Sequence, residues 1–131
     1  YAAVAVEVSQ PSLGVMKVER MAICVDPGVV INPDQVRAQM EGGAIQGLSS
    51  ARWGKVTFSS GKASTTNFDS GLRIAGFNDV PSIEVDILES GSRDVFGTGG
   101  IGEVGVPAVA PALANAWFRL TAVRKRILPL G

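Results

Sequence analysis

The side chains able to do chemistry are few, and the most promising sits in one loop. The run Gly99-Gly100-Ile101-Gly102-Glu103-Val104-Gly105 surrounds a single carboxylate with glycine. Glycine tolerates dihedrals and close approaches that other residues resist, so such a loop can present one carboxylate to a cavity. In a closed, partly apolar site a lone carboxylate can serve as a general base. The residues alone leave a plainer reading open: Glu103 precedes a helical pattern and could favour that helix's positive end, or simply be solvated.

The same run satisfies G-x-G-x-x-G at Gly100, Gly102 and Gly105, the spacing of dinucleotide-binding loops. Three features argue against that use. About a dozen residues separate the preceding strand pattern, ending at Leu88, from Gly100, whereas the fingerprint needs a tight strand-to-helix turn. Glu103 stands where a pyrophosphate would approach and would repel it. No acidic residue follows Glu103 to hold a ribose.

A second constellation lies in a helical pattern upstream. Gln39, Gly43 and Gln46 share one face at i, i+4 and i+7, so two amides flank a bare patch. The pair Gly42-Gly43 costs about 1 kcal/mol each relative to Ala inside a helix. Such a pair implies the close approach of another backbone or of a ligand. Tight helix packing with exposed glutamines and a ligand-facing patch are both compatible with it.

Composition narrows the rest. The 131 residues contain no histidine, which excludes His-based triads, His general bases and most zinc or iron sites. The single cysteine, Cys24, forms no intramolecular disulfide and reads as a small buried core residue. Twelve basic residues balance twelve acidic ones, which speaks against nucleic acid as a partner. No apolar run reaches the ~18 residues of a membrane span, and no signal peptide is visible, so the compartment stays open between cytoplasm and periplasm.

Two long stretches carry a resemblance. Val25-Asp26-Pro27-Gly28-Val29-Val30-Ile31-Asn32-Pro33-Asp34, continued by Val36-Arg37-Ala38-Gln39-Met40-Glu41-Gly42-Gly43 and Gln46-Gly47-Leu48-Ser49, is one. Gly99 through Pro107, followed by Ala110-Pro111-Ala112-Leu113-Ala114-Asn115-Ala116, is the other. Asn67-Phe68-Asp69, Leu72-Arg73 and Val80-Pro81-Ser82-Ile83-Glu84-Val85 fit the piece between them. Together they resemble the C-terminal part of the molybdenum-binding large subunit of the xanthine dehydrogenase/aldehyde oxidase family. The wording is most similar to its isoquinoline 1-oxidoreductase-like branch, and the likeness covers nearly the whole chain.

The resemblance implies an oxidoreductase that hydroxylates an aldehyde or N-heterocyclic carbon with oxygen from water. Glu103 then matches the family's catalytic glutamate, the general base toward a hydroxyl held by molybdenum. Gln39 matches a glutamine that hydrogen-bonds the molybdenum cofactor, and Gly100 and Gly102 would let backbone approach it. The implied cofactor is molybdopterin, in its cytosine dinucleotide form, with iron–sulfur clusters on a partner domain or subunit. A redox cofactor would explain how a histidine-free chain serves an oxidoreductase. Pro27 stands where relatives in this branch often carry Cys, at a position that is not catalytic. The family's large subunit spans several hundred residues, with substrate-pocket and pterin-binding segments upstream. The implied partners are therefore the remainder of that subunit, an iron–sulfur subunit or domain and a small-molecule substrate. Alone, the 131 residues are expected to bind no cofactor, to be inactive and to self-associate through exposed apolar surface. The competing class is a non-enzymatic binding or assembly module that keeps the fold.

These residues need elements to hold them. Tyr1–Ser9 and Val15–Val25 alternate as strands of a hairpin around Pro11–Gly14, the second becoming buried on both faces. Asn32 as N-cap, Pro33 at the first helical position and Gln35 as a capping-box partner start a helix reaching Arg52. Its core stripe is Val36, Met40, Ala44, Leu48 and Ala51. Lys55–Phe58 and Lys62–Thr66 read as a hairpin, Asn67–Pro81 as a loop, and Ser82–Leu88 as a half-buried strand. The glycine-rich stretch Glu89–Gly105 leads to a helix over Val106–Val123 with Ala110, Leu113, Ala114, Trp117 and Leu120 on its apolar side. A short strand, Ile127–Leu130, closes a single α+β domain over residues 1–131. Because it opens on Tyr1 rather than Met, the chain is expected to be a fragment of a longer one.

Overall fold

Valine-rich alternation builds the two longest strands. The computed structural model describes residues 1–68, 73–88 and 99–131. Asp69, Gly71, Leu72 and the first part of the glycine-rich stretch lie outside the described residues. Strand β1 (Ala2–Ser12) and strand β2 (Val15–Val25) pair antiparallel, from Ala2 opposite Val25 to Ser12 opposite Val15. The strand runs past Ser9 through Pro11, with the register shifting after Glu7 and again after Ser9. Gly14 turns the hairpin at φ +79°, a left-handed conformation that glycine adopts without strain.

The chain then leaves the sheet and returns parallel. Helix α1 (Pro33–Trp53) crosses over, and strand β5 (Ser82–Ile87) pairs with β2 from Arg20 opposite Ser82 to Val25 opposite Ile87. Between them, strands β3 (Phe58–Ser59) and β4 (Lys62–Ala63) form a separate hairpin, shorter than the sequence pattern suggests. The order β1-β2-β5 is thus a mixed sheet, the parallel pair requiring the helical crossover. Asn32 starts α1 as expected: its side-chain oxygen accepts from the N–H groups of Asp34 and Gln35 at 3.1 and 3.2 Å. Gln35 returns no capping bond and is exposed. Arg37 donates to the Val85 carbonyl and so ties α1 to β5. At the far end Ala75 N–H donates to Ser49 Oγ at 2.9 Å, and Arg73 lies 4.1 Å from the Trp53 ring centroid. Arg73 also pairs with Asp79 at 2.8 Å. A bond from Gly76 N–H, with Arg73 adding to it, holds the Asp79 carboxyl below the usual carboxylate range.

Helix α2 (Val109–Thr121) packs on β1 and α1. Met21, Ile23 and Val25 of β2, Met40, Ala44 and Leu48 of α1, and Val109, Leu113 and Trp117 of α2 form one core. All of it lies on one face of the sheet. The opposite face carries Ala3 and Ala5 beside Ala22 and Cys24, with Glu84 and Asp86 in the same rows. Cys24 is therefore only half-buried and outside the core, contrary to the sequence reading, because no described helix covers its face. Burial of β2 on both faces fails for the same reason.

Two further expectations are corrected at the C-terminus. Helix α2 begins three residues late, because Val106–Ala108 forms a turn, and Leu120 is 48% exposed on its outer side. Ile127–Leu130 makes no strand: Pro129 offers no ladder donor, and the Leu130 N–H instead donates to Ala51 O at 2.7 Å, closing the end of α1. Ala122 ends α2 at φ 59°, a left-handed cap held by a residue with a Cβ. Ala122→Gly keeps that cap without the steric cost and should stabilise the chain by about 1 kcal/mol. Urea unfolding checks this; an unchanged or lowered midpoint contradicts it.

Candidate active site

Four residues of α1 at intervals of four (Gln35, Gln39, Gly43 and Gly47) run beside its core stripe and meet the segment 99–109. Gln35 shares a cleft of about 290 Å³ with Val29, Ile31, Gly99 and Ile101. Gln39 Nε2 donates to the Gly102 carbonyl at 2.5 Å. At Gly43 a methyl group would sit 3.7 Å from Gly105 Cα, ordinary contact. At Gly47 it would fall 2.7 Å from the Val106 carbonyl oxygen and 2.9 Å from Val109 Cγ2, closer than real Cβ atoms come. The helix presents a progressively barer surface, and the loop lies down along it.

Other contacts fix the loop's ends. Gly99 N–H donates to Pro27 O at 2.7 Å, and a side chain at position 99 would strike that same carbonyl at 2.8 Å. Val106 N–H donates back to Glu103 O at 3.0 Å, turning the chain into α2. Gly105 packs so closely on Met40 that a methyl there would lie 3.4 Å from its carbonyl oxygen. With these points held, Gly100 and Gly102 face open space, nothing lying within 4 Å of a Cβ built on either. Glu103 is exposed between Gly102 and the turn, and among the described residues no cation pairs with it.

The bare patch beside Gln39 is thus occupied by backbone, that of Gly105. Gly42 points into open space and is not the close approach. Gly47 is, and the sequence reading passed over it; its place four residues after Gly43 on the same stripe was the signal. Gln46 is exposed.

Residues 1–81 match the family model of the molybdopterin cofactor-binding domain. The isoquinoline 1-oxidoreductase subunit beta of Brevundimonas diminuta is 36% identical over 115 residues, a match covering 88% of this chain and 14% of that protein. The chain belongs to the molybdopterin cofactor-binding family. A membrane-bound aldehyde dehydrogenase of Gluconacetobacter polyoxogenes, named for pyrroloquinoline quinone, is 35% identical over 121 residues, covering 91% of this chain and 15% of that one. Among solved structures, quinoline 2-oxidoreductase from Pseudomonas putida 86 superimposes with a TM-score of 0.76 at 26% identity, over 88% of this chain and 15% of that one. The chain spans only about a seventh of the length of such relatives, 14% in the first case.

The residues present fit a molybdopterin. The outer side of the loop is backbone without side chains at Gly100 and Gly102, so a broad, flat group can come close. Gln39 spends its amide N–H on Gly102, which leaves its Oε1 as an acceptor. Glu103 supplies the one carboxylate on that loop. The two glycines of the helix separate in a direct test. Gly47→Ala must push Val106 or Val109 away and should cost roughly 1–3 kcal/mol. Gly42→Ala meets nothing and should gain up to about 1 kcal/mol of helix propensity. Urea unfolding of the two variants giving shifts of the same sign would contradict this geometry.

Proposed function

We propose that this chain is the C-terminal portion of a molybdenum-dependent oxidoreductase that hydroxylates an aldehyde or N-heterocyclic carbon, with water as the oxygen source and Glu103 as general base. The observation that carries the reading is a single exposed carboxylate, unpaired among the described residues, on a loop pinned along α1 and bare on its outer side. When bound, molybdopterin would supply the redox centre. The match of residues 1–81 to a molybdopterin-binding family supports that cofactor over a quinone. The cytosine dinucleotide form, and iron–sulfur clusters on a partner domain or subunit, belong to the same proposal.

Each residue then has a defined task. Glu103 Oε atoms accept a proton from the nucleophile in the cofactor pocket, and among the described residues the exposed carboxylate has no ion pair to surrender first. Gly100 and Gly102 keep that pocket open to their backbone. Gln39 acts at both ends of its amide: Nε2 holds the Gly102 carbonyl, one residue from the base, while Oε1 accepts from the cofactor. A proton acceptor must lie within hydrogen-bond reach of its donor, so the loop's attachment matters as much as the carboxylate. Val29, Ile31 and Ile101 line the cleft beside the loop with aliphatic surface, which suits an apolar aldehyde or heteroaromatic substrate. The remainder of the large subunit would pack on the face of Ala3, Ala5, Ala22 and Cys24, and that uncovered face would make the isolated chain self-associate.

Glu103→Gln in the assembled enzyme should lower kcat by roughly 10²–10⁴-fold at normal molybdenum content, the usual worth of a positioned general base. Turnover near wild type with normal molybdenum would refute the assignment. Gln39→Ala should weaken molybdenum retention and speed hydrogen exchange at Glu103 and Val104. Gln39→Glu keeps an acceptor for the cofactor but loses the donor to Gly102, so it should retain more metal than Gln39→Ala while its loop exchanges as fast. Unchanged occupancy and exchange in both variants would remove Gln39 from the site.

A further inference from the structure

The turn by which the chain leaves β2 reaches the Glu103 loop through a single peptide unit. Two bonds fix where the turn begins: Asp26 N–H donates to Tyr1 O and Leu88 N–H to Val25 O, both at 2.8 Å. The proline ring fixes φ at Pro27, and Gly28 follows at φ +79°, a left-handed conformation. Asp26 Oδ1 accepts from the Gly28 N–H at 3.1 Å, an aspartate bonding its own backbone two residues on. The Pro27 carbonyl belongs to the same planar trans peptide unit as that N–H, so the two point in opposite directions. On its far side the carbonyl accepts from Gly99 N–H at 2.7 Å. One rigid plane is therefore held at one edge by the Asp26 side chain and at the other by the start of the loop. The fit is close: a methyl at position 99 would lie 2.8 Å from the Pro27 oxygen and 3.3 Å from its carbon.

We infer that Asp26 is a positioning residue for Glu103, resting on the proposal that Glu103 is the general base. It acts through the Pro27–Gly28 peptide and Gly99, which stands four residues before the base. Gln39 holds the loop at Gly102, and the turn holds it at Gly99. Between these two holds lie Ile101, packed against the core, and Gly100, which has nothing within 4 Å of a Cβ. With the turn released, the start of the loop is free to pivot about Gly100. A base must stay within hydrogen-bond reach of its proton donor, and a displacement of about 1 Å can cost a hundredfold in rate. At Gly28 the Asp26 side chain serves as a hydrogen-bond acceptor, a task that an amide oxygen performs as well as a carboxylate.

The test uses the assembled full-length enzyme. Asp26→Ala removes the acceptor, and amide exchange at Gly99 should then rise by about tenfold or more. At normal molybdenum content kcat should fall by roughly 10–100-fold with KM little changed. Asp26→Asn keeps an oxygen for the Gly28 N–H and should bring exchange and kcat to within about threefold of wild type. In a Glu103→Gln background Asp26→Ala should lower the residual rate no further, since the turn acts through that carboxylate. Gly28→Ala strains the left-handed position but leaves the Asp26 side chain in place. It should reproduce the Asp26→Ala pattern, and it keeps the test readable if Asp26→Ala misfolds. Unchanged Gly99 exchange or unchanged kcat in a folded Asp26→Ala or Gly28→Ala enzyme would overturn the inference. So would Asp26→Asn as impaired as Asp26→Ala, or a loss that adds in full to that of Glu103→Gln. Wild-type turnover of Glu103→Gln alone would refute the base assignment, while Gly99 exchange, read without turnover, judges the turn separately.

Discussion

The segment that carries Glu103 has no regular structure of its own, and what positions it is the barest stripe of α1. From Gln39 the helix offers an amide donor to Gly102, then ordinary contact at Gly43, then a surface at Gly47 that admits no methyl group. A loop rich in glycine pays heavily in entropy to adopt one conformation. Here that cost is met by many small attachments: Gly99 on Pro27, Gly102 on Gln39, Gly105 on Met40, and Val106 on Gly47. The glycines of the helix and those of the loop are therefore complementary. Those in the helix, at Gly43 and Gly47, let the loop come close. In the loop, Gly100 and Gly102 keep its far side open.

The rest of the fold serves that contact. A parallel return from β2 to β5 requires a crossover, and the crossover is α1. Asn32 fixes where the helix begins, which sets the phase of every residue after it: Val36, Met40, Ala44 and Leu48 turn to the core, and the stripe one residue earlier turns to the loop. A one-residue slip would aim Met40 at Gly102 and turn Glu41 into the core. The histidine-free composition agrees with this arrangement. On the proposed function, proton transfer would need one carboxylate, held by amides and backbone, and electron transfer would belong to the cofactor.

Local patterns in the sequence were legible where a single strand or helix decides the outcome. Alternation in Val15–Val25 marks the strand, and Asn32-Pro33 marks the start of α1. Readings failed where a distant segment decides. Cys24 looks buried by its neighbours, yet the face it occupies is covered by no described element. Leu120 fits the apolar period of α2 but lies beyond the reach of β1 and α1. Leu130 alternates like a strand residue, while Pro129 and the open end of α1 draw it elsewhere. At the site, the type of residue was readable and the partner was not: Gly42-Gly43 announced a close approach, but only the fold shows that Gly47 meets Val106 and that Gln39 holds Gly102.

In the proposed enzyme α1 holds the Glu103 loop with its carboxylate turned to the cofactor. The most direct measurement is a crystal structure of the full-length enzyme with molybdopterin bound. The expected result keeps the Gln39 amide on the Gly102 carbonyl and places the Glu103 carboxylate in the cofactor pocket beside the metal. Glu103 turned to solvent, with another carboxylate beside the metal, would contradict it.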